Sequence, residues 1–168
     1  MNQDYLSPVK EAVLSNLELQ SPLCLGKNIR VHSEEEGFPE LENVQLAIFG
    51  VQEDRNSENN FGCGEDLHFI RNKLYQLFPG DWQTEIADLG NVQKGNSVTD
   101  TYFAVSEIIS DLLKKNIIPI IIGGGQDITY VNYRAYDKLE QTVNITAVDS
   151  RFDIGDLEDA LTSQSYLS

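Results

Sequence analysis

The hydrophobic positions of this chain alternate between short continuous apolar runs and longer stretches with helical spacing. Three runs have the composition of buried parallel strands, namely Val44–Val51, Ile117–Ile122 and Val143–Val148. A shorter run from Thr84 to Leu89 predicts a fourth strand. Strands that alternate with helices predict an α/β protein with a three-layer α/β/α fold around a mainly parallel sheet. Pro119 within the second run is unusual for a central strand.

Apolar residues spaced three and four positions apart predict four helices before and between these strands. The first is predicted to begin at Ser7-Pro8, with serine as the cap and proline in the first turn. Ser97 and Asp100 have the spacing of a capping box and predict the start of the longest helix. The predicted helices run from Ser7 through Leu17, from Leu67 through Leu77, from Ser97 through Asn116 and from Ile128 through Leu139.

The chain is predicted to divide near residue 43. Residues 1–43 combine the first helix with an irregular arm, because the stretch after residue 20 mixes polar residues with two prolines and two glycines. Residues 44–168 contain the alternating strands and helices and are predicted to form one α/β domain. Its first strand is followed by a polar, turn-rich loop from Gln52 to Gly64, which is long enough to suggest a functional role.

Acidic residues outnumber basic ones, 27 against 12, which gives a formal net charge of −15 and a pI near 4.3. This balance argues against nucleic acid and anionic membranes as partners, because phosphate binding requires clustered lysine and arginine. No apolar run approaches the ~20 residues of a membrane span, and the first residues lack a signal-peptide pattern. Cys24 and Cys63 are far apart and have no metal-ligand spacing. We therefore expect a reduced, cytoplasmic protein that binds neither nucleic acid nor membranes.

Two motifs that can carry chemistry follow two of the predicted strands. Gly123-Gly124-Gly125-Gln126-Asp127 comes directly after Ile117–Ile122, and Asp149-Ser150-Arg151-Phe152-Asp153 comes directly after Val143–Val148. Glycines and carboxylates at the carboxyl ends of strands are where an open α/β sheet builds its active site. We therefore expect the two motifs to lie side by side.

Both motifs resemble the metal-binding segments of the ureohydrolase family, which includes arginase, agmatinase and formimidoylglutamase. In that family the first motif reads Gly-Gly-Gly-His or Gly-Gly-Asp-His and the second reads Asp-Ala-His-x-Asp, and together they hold two manganese ions. Glu53-Asp54-Arg55 looks like the substrate-side loop of the formimidoylglutamase branch. Ile70-Arg71 and Asp88-Leu89-Gly90 are similar to the family's first helix and its Asp-Leu-Gly segment. The resemblance covers roughly residues 44–156 and implies the amino-terminal part of an arginase-like fold.

The resemblance also implies that the metal site is altered. Gln126 and Arg151 occupy two positions at which the family has histidine, while Asp149 and Asp153 are retained. A dinuclear site requires neutral imidazoles and carboxylates, and arginine brings a permanent positive charge instead. We expect Arg151 to bridge the two aspartates in place of the cations. No catalytic residue is assigned and no cofactor is expected. Manganese on Asp149 and Asp153 is expected only if the altered site remains functional.

Several of these residues also have a structural interpretation. The three glycines are consistent with a tight turn between strand and helix, and Asp127 with a helix cap. If a pocket is retained, the glycines are expected to line it together with Glu53, Asp54 and Arg55. The two histidines of the chain have no nearby carboxylate pattern and are expected to be ordinary packing or surface residues.

Three functions are compatible with this pattern. The favoured one is a non-catalytic ureohydrolase-like domain that serves as a binding or assembly module, since two ligand positions are altered together. The alternatives are a metal-dependent hydrolase of guanidino or formimino compounds with an altered site, and a small-molecule sensor that retains the pocket. A complete family member continues through another half-domain. A chain that stops at Ser168 is therefore expected to expose a sheet edge and to associate with itself or with a protein partner.

Overall fold

The computed structural model describes residues 1–156, 158 and 160–167, so Ser168, the predicted end of the domain, lies outside them. The strands are β1 (Leu6–Ser7), β2 (Arg30–Val31), β3 (Leu46–Val51), β4 (Ile86–Val92) and β5 (Ile118–Ile122). The helices are α1 (Glu11–Glu18), α2 (Leu67–Leu74), α3 (Val98–Lys114) and α4 (Ile128–Asp137). The strands are arranged in the order β1-β4-β3-β5, and β2 also pairs with β4.

The central strand of the sheet is β3, which pairs in parallel with β4 on one side and with β5 on the other. Successive side chains of β3 point to opposite faces of the sheet. Ala47, Phe49 and Val51 belong to the large core against α3, whereas Ile48 packs with Leu67 of α2. Among the strands of the described residues, only β1 runs antiparallel to its neighbour. The predicted three-layer α/β/α fold with a mainly parallel sheet is therefore confirmed.

The longest helix, α3, begins at the predicted capping box. Ser97 Oγ accepts a hydrogen bond from Asp100 N at 3.2 Å, and Asp100 Oδ2 accepts one from Ser97 N at 2.8 Å. Lys114 lies in the last turn, where a cation interacts favourably with the helix dipole. Within the described ranges, no helix is both long and apolar enough to cross a membrane.

The predicted start of the first helix is wrong. Ser7 belongs to β1, where it pairs with Asn91, and its hydroxyl donates to the Asn91 carbonyl at 3.1 Å. Val9 N donates to the His32 carbonyl at 2.9 Å, which holds the next residues against the sheet. The helix begins only at Glu11. Tertiary hydrogen bonds to β4 and to the arm therefore override the local Ser-Pro signal.

The division near residue 43 stays a prediction, although residues 1–43 supply both β1 and β2.

The prediction of a strand from Val143 to Val148 is also wrong. This segment has the composition of a strand, but it pairs with no strand in the described part of the chain. Ile145 is 49% exposed and Val148 is 99% exposed. A cavity of about 320 Å³ lies between residues 143–146 and α4. Apolar composition produces a strand only where a neighbouring backbone completes the hydrogen bonds, and here none does.

Pro119 is explained by the position of β5 at the edge of the described sheet. Ile118 N donates to the Gln45 carbonyl at 2.9 Å, so alternate residues of β5 direct their backbone groups towards β3. By this alternation, Pro119 faces the open edge, where a missing N–H removes no hydrogen bond of the ladder. Ile118 and Ile120 remain partly exposed on the α2 side of this edge.

A buried ion pair joins α2 to β4. Arg71 donates from Nε to Asp88 Oδ2 at 2.8 Å and from Nη2 to Asp88 Oδ1 at 2.9 Å, and both side chains are almost fully buried. Arg71 Nη1 also donates to Asn91 Oδ1 at 2.6 Å, and Tyr75 donates to Asp88 Oδ2 at 2.9 Å. The pairing with β3 shifts by one residue between Asp88 and Asn91. Because of this bulge, both side chains point to the α2 face and meet Arg71.

Candidate functional site

The candidate site lies where the loops after β3 and β5 meet at the carboxyl ends of the strands. The chain after β3 continues into α2 on one face of the sheet, and the chain after β5 continues into α4 on the other face. Such a divergence between neighbouring parallel strands opens a crevice that is the usual ligand position in α/β sheets. Gly125 N donates to the Glu53 carbonyl at 2.8 Å, which fixes one loop against the other.

The glycine run is required by the turn between β5 and α4. Gly123 and Gly124 have φ angles of +70° and +77°, a region that other residues rarely adopt. A methyl group on Gly123 would lie 2.1 Å from Leu67 Cδ2, because α2 packs closely against the turn. The packing of α2 therefore also favours glycine at this position. The three glycines line a cavity of about 480 Å³, together with Gln126 and Asn132. They therefore form both the turn and one wall of the cavity.

Of the predicted pocket residues, Glu53 and Arg55 form a hydrogen-bonded pair. Arg55 donates from Nε to Glu53 Oε1 at 2.8 Å and from Nη2 to Glu53 Oε2 at 2.5 Å, and Thr101 Oγ1 donates to Glu53 Oε2 at 2.7 Å. Burial of Glu53 raises its pKa, but the hydrogen bonds from Arg55 and Thr101 outweigh burial and lower the pKa to about 2. Arg55 Nη2 also donates to the Gly95 carbonyl at 3.1 Å, so this pair fixes the loop to the start of α3.

The Glu53 site predicts a defined loss of stability in acid. Because the pKa of Glu53 is lowered from 4.5 to about 2, its contribution is complete above pH 4.5 and disappears as the pH falls through about 2. We expect Glu53→Gln to lower the free energy of unfolding at pH 7, by at most about 3 kcal/mol. Its unfolding free energy should then depend less on pH between 4.5 and 2. Urea titrations across that range, with the exposed Glu58→Gln as the matched control, would measure this. Parallel pH curves for the parent and Glu53→Gln would contradict it.

Asp54 points to the other side of the same loop. Its carboxylate forms an ion pair with Lys94 and accepts a hydrogen bond from Gly62 N at 2.8 Å. Burial raises the pKa of Asp54, and the bonds from Lys94 and Gly62 lower it more, so the pKa lies below its usual value. Asp54 thus closes the loop on itself and attaches it to the chain after β4.

Asp127 does not cap α4 through its side chain, so the capping interpretation is wrong. Its fully buried carboxyl accepts a hydrogen bond from the Tyr102 hydroxyl of α3, and Asn56 donates to the same hydroxyl at 3.2 Å. Asp127 Oδ1 has no hydrogen-bond partner among the described residues. Burial raises the pKa of Asp127, and the nearby carboxylates of Glu53 and Asp54 raise it further. Asp127 is therefore a buried acid that joins α3 to the turn.

The two sequence motifs meet through side chains. Gln126 Nε2 donates to Asp149 Oδ2 at 2.5 Å and to the Tyr166 hydroxyl at 3.1 Å. The Gln126 amide lowers the pKa of Asp149, whereas burial and the Asp149 charge raise the pKa of Asp153. The Gln126 amide therefore satisfies Asp149, whereas Asp153 lies close to a like charge.

Arg151 does not bridge the two aspartates, contrary to the expectation from the sequence. Its backbone N–H donates to Asp149 Oδ1 at 3.2 Å, but within residues 1–156, 158 and 160–167 its guanidinium forms no ion pair. The side chain is exposed, as is that of Phe152. Because the preceding segment is not held in the sheet, Arg151 extends into solvent, where its charge is hydrated.

Three site residues had no signal in the sequence. Asn56 lies in the loop after β3, and Ser163 and Tyr166 lie in the last described segment, far away along the chain. Ser163 N donates to the Asn56 carbonyl at 3.0 Å, and Tyr166 reaches Gln126. A polar tyrosine-containing segment with no periodicity gives no indication that it will fold back over a site more than 30 residues away.

The histidines lie away from this cluster. His32 Nδ1 is 3.0 Å from the Leu89 carbonyl beside β4, and His68 lies in the first turn of α2. Among the residues that the structure describes, no group of three His, Cys, Asp or Glu side chains is arranged to hold a metal ion. Both cysteines are free thiols, Cys24 buried and Cys63 half-buried.

Comparison with known proteins identifies relatives of this fold. The model of the arginase family matches residues 44–166. A formimidoylglutamase of Macrococcus caseolyticus is 29% identical over 123 residues, which are 70% of this chain and 39% of that protein. The crystal structure of formimidoylglutamase from Bacillus subtilis superposes with a TM-score of 0.67 at 15% identity, over 86% of this chain and 47% of that one. A Trypanosoma cruzi formiminoglutamase solved with Mn²⁺ gives a TM-score of 0.63 at 19% identity, over 75% and 47% of the two chains.

The residues present at the site do not fit a pair of manganese ions. Asp149 accepts hydrogen bonds from the Gln126 amide and the Arg151 N–H. A cation would have to displace both donors, and the described donor set contains no imidazole to replace them. Among the described residues, hydrogen bonds connect the members of the altered site.

Proposed function

The chain belongs to the arginase family, and we propose that it is a non-catalytic member that serves as a binding or assembly module. One observation carries this proposal. The Gln126 amide donates to the Asp149 oxygen that would otherwise be free to bind a cation. Hydrolysis at a dinuclear centre depends on two cations that activate a water molecule, so a site satisfied by an amide lacks the source of the nucleophile. The chain spans 39% of the curated relative and 47% of the solved one, and the proposal concerns this part of the fold.

The proposal predicts that the purified protein does not retain stoichiometric manganese, nickel or zinc. After incubation with excess Mn²⁺ and desalting, elemental analysis is expected to find far less than one ion per chain. The physical reason is that two carboxylates without imidazole ligands bind a first-row divalent ion too weakly to survive desalting. Hydrolysis of formimidoylglutamate, agmatine and arginine should likewise be undetectable.

Metal stoichiometry distinguishes the proposal from its main alternative. About two manganese ions per chain, with hydrolysis of any of these compounds, would overturn the non-catalytic role. One tightly bound ion with activity would instead support a metal-dependent hydrolase with an altered site.

A small-molecule sensor is the second candidate, and the cavity beside the glycine turn favours it. The cavity has a volume of about 480 Å³, and Asn132, which lines it, has a buried Oδ1 without a hydrogen-bond partner in the described residues. Ligand sites combine such a volume with a few polar groups that orient the ligand. A sensor should be stabilised against heat by one of the guanidino or formimino compounds. An assembly module should be indifferent to them.

An assembly role predicts that the protein associates with a second copy of itself. Val148, Phe152 and Ile154 are exposed on the segment around the second motif. Clustered exposed apolar side chains mark contact surfaces, whereas the net charge of −15 opposes association. We therefore expect the average molar mass from light scattering to increase with salt, as repulsion is screened. A monomer at every salt and protein concentration would argue against self-assembly.

A further inference from the structure

The last described segment, residues 160–167, folds back over the loop after β3. Ser163 N donates to the Asn56 carbonyl at 3.0 Å, and Glu58 N donates to Ser163 Oγ at 2.9 Å. Asn56 Nδ2 donates to the Leu161 carbonyl at 2.9 Å. These three bonds connect two parts of the chain that are more than 100 residues apart, and they flank Ser57 on both sides.

The same segment inserts Tyr166 into the altered site. Its hydroxyl accepts from Gln126 Nε2 at 3.1 Å, and its ring is almost fully buried. Leu167 N donates to the Asp153 carbonyl at 3.1 Å, which holds the end of the segment beside the second motif. Tyr166 therefore covers the side of Gln126 that Asp149 does not.

We propose that residues 160–167 are a removable strap that ties the loop after β3 to the altered site, with Asn56 as its attachment point and Tyr166 as the group that packs against Gln126. The inference rests on the proposed function, because it takes the Asp149 carboxylate of the altered site to be satisfied by hydrogen bonds. The strap makes the loop after β3, the glycine turn and the second motif one connected unit. Gln126 and Asp149 already face solvent with the strap in place, so lifting it would release the loop after β3 and free Gln126 from the Tyr166 hydroxyl.

The strap is removable because its attachment consists mainly of hydrogen bonds. Only Ser163 and Tyr166 are buried in it, and it forms no helix or strand. Segments with few buried apolar contacts open locally at a lower free energy than the core. Asn56 also donates to the Tyr102 hydroxyl, which donates to Asp127, so an open strap loosens the contact between the loop and α3.

Cys63 provides a native probe of the strap. Its Sγ lies 3.4 Å from the hydroxyl of Ser57, and Ser57 is flanked by the two loop residues that the strap holds. Cys24 is buried in another part of the structure. We expect Ser163→Ala and Tyr166→Phe to increase the rate at which a thiol reagent labels Cys63. An increase of roughly tenfold corresponds to about 1.4 kcal/mol. Cys24 should label at the parent rate, which shows that the core stays folded.

Ser165→Ala is the matched control. Ser165 Oγ accepts from Thr162 N at 2.9 Å within the strap, so its loss removes a bond of similar length without touching the loop. It should leave Cys63 labelling unchanged. Equal labelling of Cys63 in the parent and in all three variants would overturn the proposal.

Hydrogen exchange of the unmodified protein gives an independent test that does not depend on folding of a variant. The amides of Glu58, Ser163 and Leu167 are expected to exchange together, more slowly than free amides and faster than those of α3. Exchange of these amides at the rate of α3 would show that the strap does not open, and unprotected exchange would show that it is not attached. Metal content bears on the proposed function but not on these rates, so the two proposals can fail separately.

Discussion

Replacing Arg71 with alanine is expected to lower the free energy of unfolding by about 3–5 kcal/mol, measured by urea denaturation at pH 7. The substitution removes the two guanidinium bonds to Asp88 and leaves a carboxylate that is completely buried. The Tyr75 hydroxyl and the Gly90 N–H still donate to Asp88, but neither supplies a compensating charge. An uncompensated buried carboxylate is more costly than the loss of the hydrogen bonds alone.

Two further variants separate charge from packing at this site. Lys73→Ala on the exposed face of α2 is the control, and it should change the free energy of unfolding by less than about 0.5 kcal/mol. The double variant Arg71→Leu with Asp88→Leu should recover part of the lost stability, because no unpaired charge is left behind. If Arg71→Ala were as mild as Lys73→Ala, the interpretation of this ion pair would be wrong.

Replacing Gly90 with alanine is expected to destabilise the fold by about 3 kcal/mol or more, which thermal or urea denaturation would measure. Gly90 has a φ of +86° at the bulge in β4, where a side chain is strained. A methyl group at this position would also lie 1.9 Å from the Ser7 carbonyl oxygen. The contact is with backbone, so β1 would have to move away from β4 to relieve it.

Gly37→Ala isolates the conformational part of this effect. Gly37 has a similar φ of +75°, but no atom lies within 4 Å of the position of an added methyl group. It should therefore show only the conformational cost of the left-handed region, about 1–2 kcal/mol. Equal destabilisation in the two variants would mean that the close approach of β1 to β4 contributes nothing.

The sheet shows where local patterns were sufficient and where they were not. The runs that became β3 and β5 and the capping box of α3 were predictable, because apolar periodicity and cap chemistry act over a few residues. The run from Val143 to Val148 has the same composition, yet it remains without a partner strand in the described chain. Strand formation depends on a neighbouring backbone, which no local pattern specifies.

The candidate site was predictable in part of its membership and not in its bonding. The motifs identified Gln126, Asp149 and Asp153, because glycines and carboxylates after apolar runs indicate the carboxyl edge of a sheet. The expected bridge by Arg151 is wrong, since Gln126 takes the place that was assigned to the guanidinium. Which donor reaches a carboxylate depends on side-chain direction, and that direction follows from the path of the backbone after Val148.

The sequence by itself determined the layers of this fold, the glycine turn and the family to which residues 44–166 belong, since these follow from periodicity and short motifs. Only the tertiary structure decided that Arg71 neutralises Asp88, that Gln126 satisfies Asp149 and that Tyr166 reaches Gln126. The physical reason is the range of the interactions. Helix caps, turns and apolar periods are set by residues a few positions apart, whereas buried polar groups find their partners wherever the folded chain brings a donor within hydrogen-bond distance.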